Sequence, residues 1–543
     1  MGSHAIIILG GALSGPTAAA RARETNANAK IILLERAAKI SYAVGGLPYY
    51  LSGEVEARAD LAPHRAEFFR RYYDVDVRTG VHVTGFDPRA HKVKTSAGEF
   101  KYDSLIYALG AGSIVPAVFG EGASNVSLLR NPAHLESVDA SLRAGARRIA
   151  IIGGGYYGVE AADCLARRGC SVTLLERSAQ LLPQFSEPLA TRAKNALGAQ
   201  GVSVLLGTEV LGVVRKGKQI VALQTSGATI DVDLTLITAG VRPRTELFQA
   251  AGGSLRRDGS ILVDSHCRTA LPDVYGTSIC VSHLHAVTRK PIWTAQAADA
   301  DKTAQVAGAN AAGGDATLGP TLGSSLVRAG DLHLGRTGST QQGAQIGRIE
   351  LGGHSCDPFF RGSQPLELSL YYTKDKQRVI GAEAIGGAGV DKRIDVVATA
   401  IIGKLTLAQL AHVDLGYSPP YSTARDIVSA AAVIGQQARE VRAWSLAEFS
   451  AREPSVAVYD VRSAGERKRS AFAAPALDIT RVRAQRKQLA RKRQVLFVCE
   501  TGRESYLAAR AASQLGVVEA GYLSGGLLAW RTAGKAGKGP LSS

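Results

Sequence analysis

Short, unbroken apolar runs that stop at glycine-rich turns set the pattern of this chain. Ala5 to Leu9 (AIIIL) runs into Gly10-Gly11-Ala12-Leu13-Ser14-Gly15 and then an alanine-rich helical stretch, and a second apolar run, Ile31 to Leu34, stops at Glu35. The same order recurs in RIAIIGGGYYGVEAADCLARRGCSVTLLER, where Gly153, Gly155 and Gly158 precede a helix and the next strand ends in Glu176. Continuous rather than alternating apolar runs predict strands covered on both faces, as in parallel sheets flanked by helices. Two later runs, Leu105 to Pro116 and Leu234 to Leu247, each carry a glycine just past their apolar stretch (Gly110 and Gly240) and predict strands returning to the two sheets. One such unit is then inserted within the other, and the class is α/β.

The turns carry specific chemistry. Glycine at 10 and 15 permits a tight turn and close helix–strand packing, so that helix-terminal N–H groups meet a pyrophosphate. Glu35 and Glu176 fall at the strand ends where an acidic residue binds a ribose. Two such units, each with strand, helix and acidic strand end in register, point to two dinucleotides. Glu176 repels a 2′-phosphate and favours NADH, while Arg177 beside it leaves NADPH open.

Composition narrows the class further. At 543 residues the chain has room for several cores, and its ordinary apolar and charged content excludes a disordered or fibrous protein. No apolar run approaches the ~20 residues of a membrane span, and the N-terminal apolar run, broken by glycines, is a strand rather than a leader. Six cysteines without framework spacing fit a reducing cytoplasm. The net charge of +17 is concentrated in part at Arg481, Arg483, Arg486, Lys487, Arg491, Lys492 and Arg493, a run read first as a solvated face rather than a nucleic-acid surface.

With SYAVGGLPYY (Ser41 to Tyr50), GVRPRTEL, GAGVDKRIDVVATAI (Gly387 to Ile401) and LGYSPPYSTARD (Leu415 to Asp426), residues 5 to 437 resemble a pyridine nucleotide–disulfide oxidoreductase, most of all its coenzyme A-disulfide reductase and NADH-dependent persulfide reductase branch. The resemblance implies a flavoprotein homodimer binding FAD at the first turn and NADH or NADPH at the second, with hydride passing to FAD and then to a single cysteine. It also implies a division into residues 1–115 (FAD-binding, first part), 116–262 (NAD(P)-binding insert), 263–324 (FAD-binding, return) and 325–437 (α+β dimerisation). The family's redox cysteine aligns with Gly45 and its neighbouring asparagine with Val44, so disulfide reduction by the family's route is not expected. At DVYGTSICVSHLH the family's glycine–aspartate pair, which holds the flavin's ribityl chain, is replaced by Ser278 and Ile279. Cys280, with His283 and His285, is a candidate relocated thiol or substrate-pocket group, weighed against simple packing or a metal site. Tyr417 aligns with a tyrosine that lines the partner subunit's active site and is a candidate proton donor.

From about residue 443 the composition changes. VAVYDVRSAGE opens a small α/β unit in which an apolar strand, Val495 to Val498, delivers Cys499 to a loop entering a helix near Ser505. Backbone N–H groups and the helix dipole there are expected to lower the thiol's pKa and favour a persulfide. DVR (Asp460 to Arg462), CETGRES and SGGLLAW resemble a rhodanese, with the loop arginine displaced to Arg503, and residues 443–543 are assigned to it. The expected function is an FAD- and NAD(P)H-dependent oxidoreductase of sulfur metabolism with a small, sulfur-containing substrate and sulfur transfer at Cys499. The competing reading is a sulfurtransferase whose flavin-type core is a binding or regulatory module.

Overall fold

The computed structural model describes residues 4–62, 64–437, 441–452, 455–517 and 519–532. The ends of the N-terminal and C-terminal segments assigned above, residues 1–3 and 533–543, lie outside the described residues. The chain forms two compact units, residues 1–183 with 197–323, and residues 184–196 with 324–543.

The first unit holds two parallel sheets. In one, Ala5–Leu9 lies at the centre between Lys30–Glu35 and Ser104–Tyr107, with Val75–Thr79 and Val274–Gly276 outside them. In the other, Arg148–Ile152 lies between Ser171–Glu176 and Leu234–Ile237. Ile6, Ile7, Ile8 and Leu9 are fully buried because helices cover one face and the strands Val83–Asp87 and Lys92–Thr95 lie over the other, as an unbroken apolar run demands. The helices Ser14–Thr25 and Ala297–Ala311 pack against one another, and Gly308 permits the contact: a Cβ there would stand 2.3 Å from the Ala18 carbonyl oxygen.

The second unit contains a five-stranded antiparallel sheet in the order Ser325–Ala329, Leu332–Gly338, Val379–Gly386, Pro365–Thr373, Ile346–His354. The helix Val390–Ile402 packs against its central strands and Ile427–Gln436 against the strands of its far edge. Arg393, only 1% exposed, pairs with Asp426 at 2.7 Å. Arg192 on the helix Glu187–Ala199 pairs with Glu367 at 2.8 Å.

The C-terminal part of this unit is a four-stranded parallel sheet, Arg442–Trp444, Ala520–Leu523, Val495–Val498 and Ala457–Asp460 in spatial order. Trp444, Phe449, Leu496, Val498, Leu523 and Trp530 form part of its core. The basic run is exposed at Arg481, Arg483, Arg486 and Lys487, while Val482 and Leu489 between them point inward. No helix among the described residues is long and apolar enough to cross a membrane.

Candidate functional site

The two glycine turns are built alike. Gly10 and Gly153 adopt φ +104° and +111°, and a Cβ at either would stand 2.5 or 2.6 Å from the carbonyl oxygen of Ala108 or Thr238 on the neighbouring strand. At Gly15 and Gly158 an added Cβ would come within 1.8 and 1.9 Å of the Gly10 and Gly153 carbonyl oxygens, so these two glycines seat the helix on the turn. Gly155 differs: a Cβ there meets nothing within 4 Å. That free space beside the start of the Tyr156–Arg167 helix is the approach that a pyrophosphate needs.

The acidic strand ends close each turn. Glu35 accepts hydrogen bonds from Gly11 N at 2.7 Å and Ala37 N at 2.6 Å, and Glu176 from Gly154 N at 2.7 Å and Ser178 N at 2.8 Å. Each carboxylate is thereby fixed at the lip of its turn, where a ribose hydroxyl would arrive. Gly110, at φ +64°, faces Ser278 Oγ and Ile279 Cγ1, where an added Cβ would stand at 3.5 and 3.8 Å. Ser278 itself has φ +76°, a left-handed conformation that favours glycine. The backbone turn thus persists with serine in it.

The segment Ser41–Tyr50, which includes the 3-10 turn Val44–Gly46 and the start of the helix Leu47–Ser52, joins the two turns. Ser41 N donates to Gly11 O at 2.8 Å and Tyr42 N to Ala12 O at 3.2 Å. On its other side the Tyr157 hydroxyl donates to Val44 O at 2.9 Å and the Tyr49 hydroxyl to Glu160 at 3.0 Å. Tyr157 and Glu160 lie on the helix of the second glycine turn, and sequence reasoning missed both. The doubled tyrosine of GGGYYG was the available signal. Gly45 is exposed at the middle of this loop, and a Cβ there meets nothing within 4 Å.

Cys280 is not a reactive thiol. It is fully buried, its Sγ donates to Thr277 O at 3.0 Å, and burial pushes its pKa up to about 12. The expected Cys280, His283 and His285 cluster also dissolves into separate partnerships. His283 Nε2 lies 2.8 Å from Asp299 Oδ2, and His285 Nδ1 accepts from Val287 N and Thr288 N at 3.2 and 3.1 Å. Among the described residues no group of His, Cys, Asp and Glu is arranged to hold a metal ion. Asp299, in the first turn of the Ala297–Ala311 helix, also accepts from Thr294 and Thr321. Burial raises its pKa, but these donors outweigh it and hold the carboxyl below its ordinary value.

Tyr417 is half exposed, and its hydroxyl donates to Asp357 Oδ2 at 2.6 Å, which raises the phenol's pKa. Tyr421 and Phe359, also highly exposed, belong to the same pair of loops, joined by Asp357 N donating to Pro419 O at 3.2 Å.

Cys499 sits in the expected cradle: Gly502 N and Ser505 N donate to its Sγ at 3.1 and 3.2 Å. The helix begins at Arg503, two residues before the expected start. Burial, with the Glu504 carboxylate adding to it, pushes the thiol up to about 12 against the cradle's hydrogen bonds, opposite in direction to the expected lowering. Asp460 and Arg462 of the DVR turn form a pair with no exposed side-chain surface, and Glu500 pairs with Arg531.

Comparison with known proteins agrees with this construction. Residues 4–299 match the pyridine nucleotide-disulphide oxidoreductase family and residues 445–533 the rhodanese-like domain. An NADH oxidase of Methanocaldococcus jannaschii is 29% identical over 441 residues, 78% of this chain and 97% of its own. A coenzyme A disulfide reductase of Staphylococcus haemolyticus is 25% identical over 449 residues, 80% of this chain and 99% of its own. Among solved structures, reduced CoADR-RHD of Bacillus anthracis superposes with TM-score 0.91 at 26% identity, covering 98% of each chain. A NAD-dependent persulfide reductase from A. fulgidus gives 0.88 at 28% identity, covering 97% of this chain and 100% of that one. With its two dinucleotide turns, the chain belongs to the pyridine nucleotide-disulphide oxidoreductase family, whose cofactors are FAD and NAD(P)H, and carries a C-terminal rhodanese-like domain.

Proposed function

We propose that this protein is a flavin- and NAD(P)H-dependent oxidoreductase of sulfur metabolism that works without a core cysteine and hands sulfur to or from Cys499. The observation that carries the reading is Gly45. It occupies the middle of a segment tied to both glycine turns, and it brings no side chain there.

In unit 1 the alternatives are poor. Cys164, Cys267 and Cys280 are buried and Cys170 is partly buried; burial holds both Cys267 and Cys280 at a pKa of about 12 and raises that of Cys170. A thiolate, the form needed for disulfide exchange, is scarce at such sites. Flavin held at the first turn would supply hydride transfer from the nicotinamide to the substrate. The chain's own residues do the rest: the Gly10–Gly15 and Gly153–Gly158 turns bind the pyrophosphates, Glu35 and Glu176 receive the riboses, and Tyr157 and Tyr49 hold the Ser41–Tyr50 loop against the second turn. Glu176 at the second turn favours NADH. Persulfide handling at Cys499 is supported by its two backbone donors and by the persulfide reductase among the structural relatives. A homodimer, assembled through the unit carrying Tyr417, Tyr421 and Phe359, completes the reading.

The visible spectrum tests it. NADH should bleach the bound flavin of the purified protein without a long-wavelength thiolate band, and coenzyme A disulfide should be a poor substrate. Gly45→Cys, for which the loop has room, should gain that band on reduction. A thiolate band in the unaltered protein would show that a cysteine still serves the flavin.

A further inference from the structure

The loop that holds Cys499 is fastened from outside its own sheet. The strand Ile346–His354 lies at the edge of the antiparallel sheet and pairs only with Pro365–Thr373. An edge strand presents a row of N–H and C=O groups with no strand to receive them. Here two groups of that row, the Gly352 N–H and the Glu350 C=O, are taken by the two turns that frame Cys499. Gly352 N donates to Thr501 O at 2.8 Å, and Glu350 O accepts from Gly525 N at 3.0 Å and from Ser524 Oγ at 3.4 Å. Gly525 belongs to the turn packed against the Cys499 loop, since Leu527 N donates to Cys499 O at 2.8 Å.

Bare backbone makes this seam possible. A Cβ on Gly352 would stand 3.1 Å from Thr501 Cα, 3.3 Å from Gly525 O and 3.3 Å from Leu528 Cδ2. Beyond the turn, Thr532 Oγ1 donates to Glu367 Oε1 at 3.3 Å on the next strand of the same sheet. Cys499, two residues from Thr501, is left only 1% exposed. A thiol that exchanges sulfur with a visiting molecule must be reached by it, and in this arrangement it is not.

We propose that the edge strand is a latch on the Cys499 loop: with Thr501 and Gly525 seated on Glu350 and Gly352 the thiol is closed, and it is reached only when those turns lift from the strand. The seam consists of two backbone hydrogen bonds and one from the Ser524 hydroxyl, all of whose groups water can satisfy once they part, which suits a local opening that leaves both sheets intact. The sulfur-transfer reading supplies the visitor; the latch itself concerns access alone.

The test uses the full-length protein and iodoacetamide, with alkylation of Cys499 followed by peptide mass spectrometry. Gly352→Val forces a Cβ into the seam. Gly352→Pro removes the outward donor while leaving the inner ladder, an arrangement edge strands tolerate. Both variants should alkylate at Cys499 about tenfold faster than the unaltered protein, the effect of losing one hydrogen bond plus its packing. In the unaltered protein the amides of Gly352 and Gly525 should exchange with deuterium in step with one another and at the opening rate that limits alkylation. Equal alkylation rates in all three proteins, or rapid alkylation of the unaltered protein while those amides stay protected, would overturn the latch. A variant that alkylates fast yet takes no sulfur from thiosulfate or cysteine persulfide supports the latch and sinks sulfur transfer instead.

Discussion

Replacing Gly158 by alanine should separate nicotinamide binding from flavin binding. The added Cβ would stand 1.9 Å from the Gly153 carbonyl oxygen and 2.8 Å from Thr238 Oγ1, whereas real Cβ atoms essentially never approach closer than 3.0 Å. The Tyr156–Arg167 helix therefore has to withdraw from the turn by about 1 Å, an overpacking that costs ~1–3 kcal/mol. Its first N–H groups withdraw with it, and weakening one charge-assisted hydrogen bond to the pyrophosphate costs a further ~1.5–3 kcal/mol in NADH affinity. At ~1.4 kcal/mol per factor of ten, the dissociation constant for NADH should rise by roughly 10- to 100-fold. Stopped-flow reduction of the flavin at increasing NADH gives that constant directly. Gly155→Ala is the informative partner, since its Cβ meets nothing in the protein: it should leave the melting temperature unchanged and still weaken NADH, because it fills the ligand's approach. Flavin content should be unchanged in both, the first turn being a separate one. Unaltered NADH affinity in Gly158→Ala, with the protein folded, would refute the assignment of this turn to the nicotinamide cofactor.

Asp460→Asn should destabilise the C-terminal sheet by about 3 kcal/mol, because it strips the nearer charge partner from an Arg462 with no exposed side-chain surface and leaves Glu500 at 3.6 Å, and a thermal melt unchanged by it would contradict that pairing. Cys267, Cys280 and Cys499 each have burial raising the folded pKa from 9.0 to about 12. Each binds its proton more tightly folded than unfolded, so their stabilisation is complete below pH 9.0 and is lost as the pH climbs toward about 12. Cys280→Val should accordingly flatten the fall of melting temperature above pH 9.0, and an unchanged slope would show that this thiol titrates normally. The proposed dimer predicts a sedimentation mass of two chains at micromolar protein, and Phe359→Asp with Tyr421→Asp, at side chains 78% and 72% exposed, should shift it toward one. A monomer before any substitution would remove Tyr417 from consideration at a neighbour's site.

Much of the nucleotide-binding core was legible because its signals are local. The apolar run Ala5–Leu9 is a strand with those limits, and Val495–Val498 likewise, since a fully buried strand writes itself as an unbroken apolar segment. Each glycine turn and its acidic partner lie within about one supersecondary unit, so spacing alone brings Gly11 to Glu35 and Gly154 to Glu176. The site residues that were misjudged depend on distant neighbours. The neighbourhood of Cys499 suggests a reactive thiol through its helix start. Its burial, set by turns and strands remote in sequence, raises the pKa instead. Cys280 looked available beside two histidines, but both rings turn to other partners, His283 to Asp299 and His285 to its own turn. Tyr157 was hidden for the same reason: its function as an anchor exists only because the Ser41–Tyr50 loop arrives more than a hundred positions away, |i−j| = 113.

The Gly352 seam also bears on how the chain tolerates being cut. Removing everything after residue 440 would leave the strand Ile346–His354 with its outer backbone row open and, at Gly352 and Gly353, no side chain to shield it. A bare sheet border of that kind offers itself to the same border on another molecule. The shortened protein should therefore keep its nucleotide-binding turns yet associate side by side and precipitate on concentration. In this chain the C-terminal domain is also a covering for its neighbour, and a soluble core calls for a charged side chain at 352 as well as a stop codon.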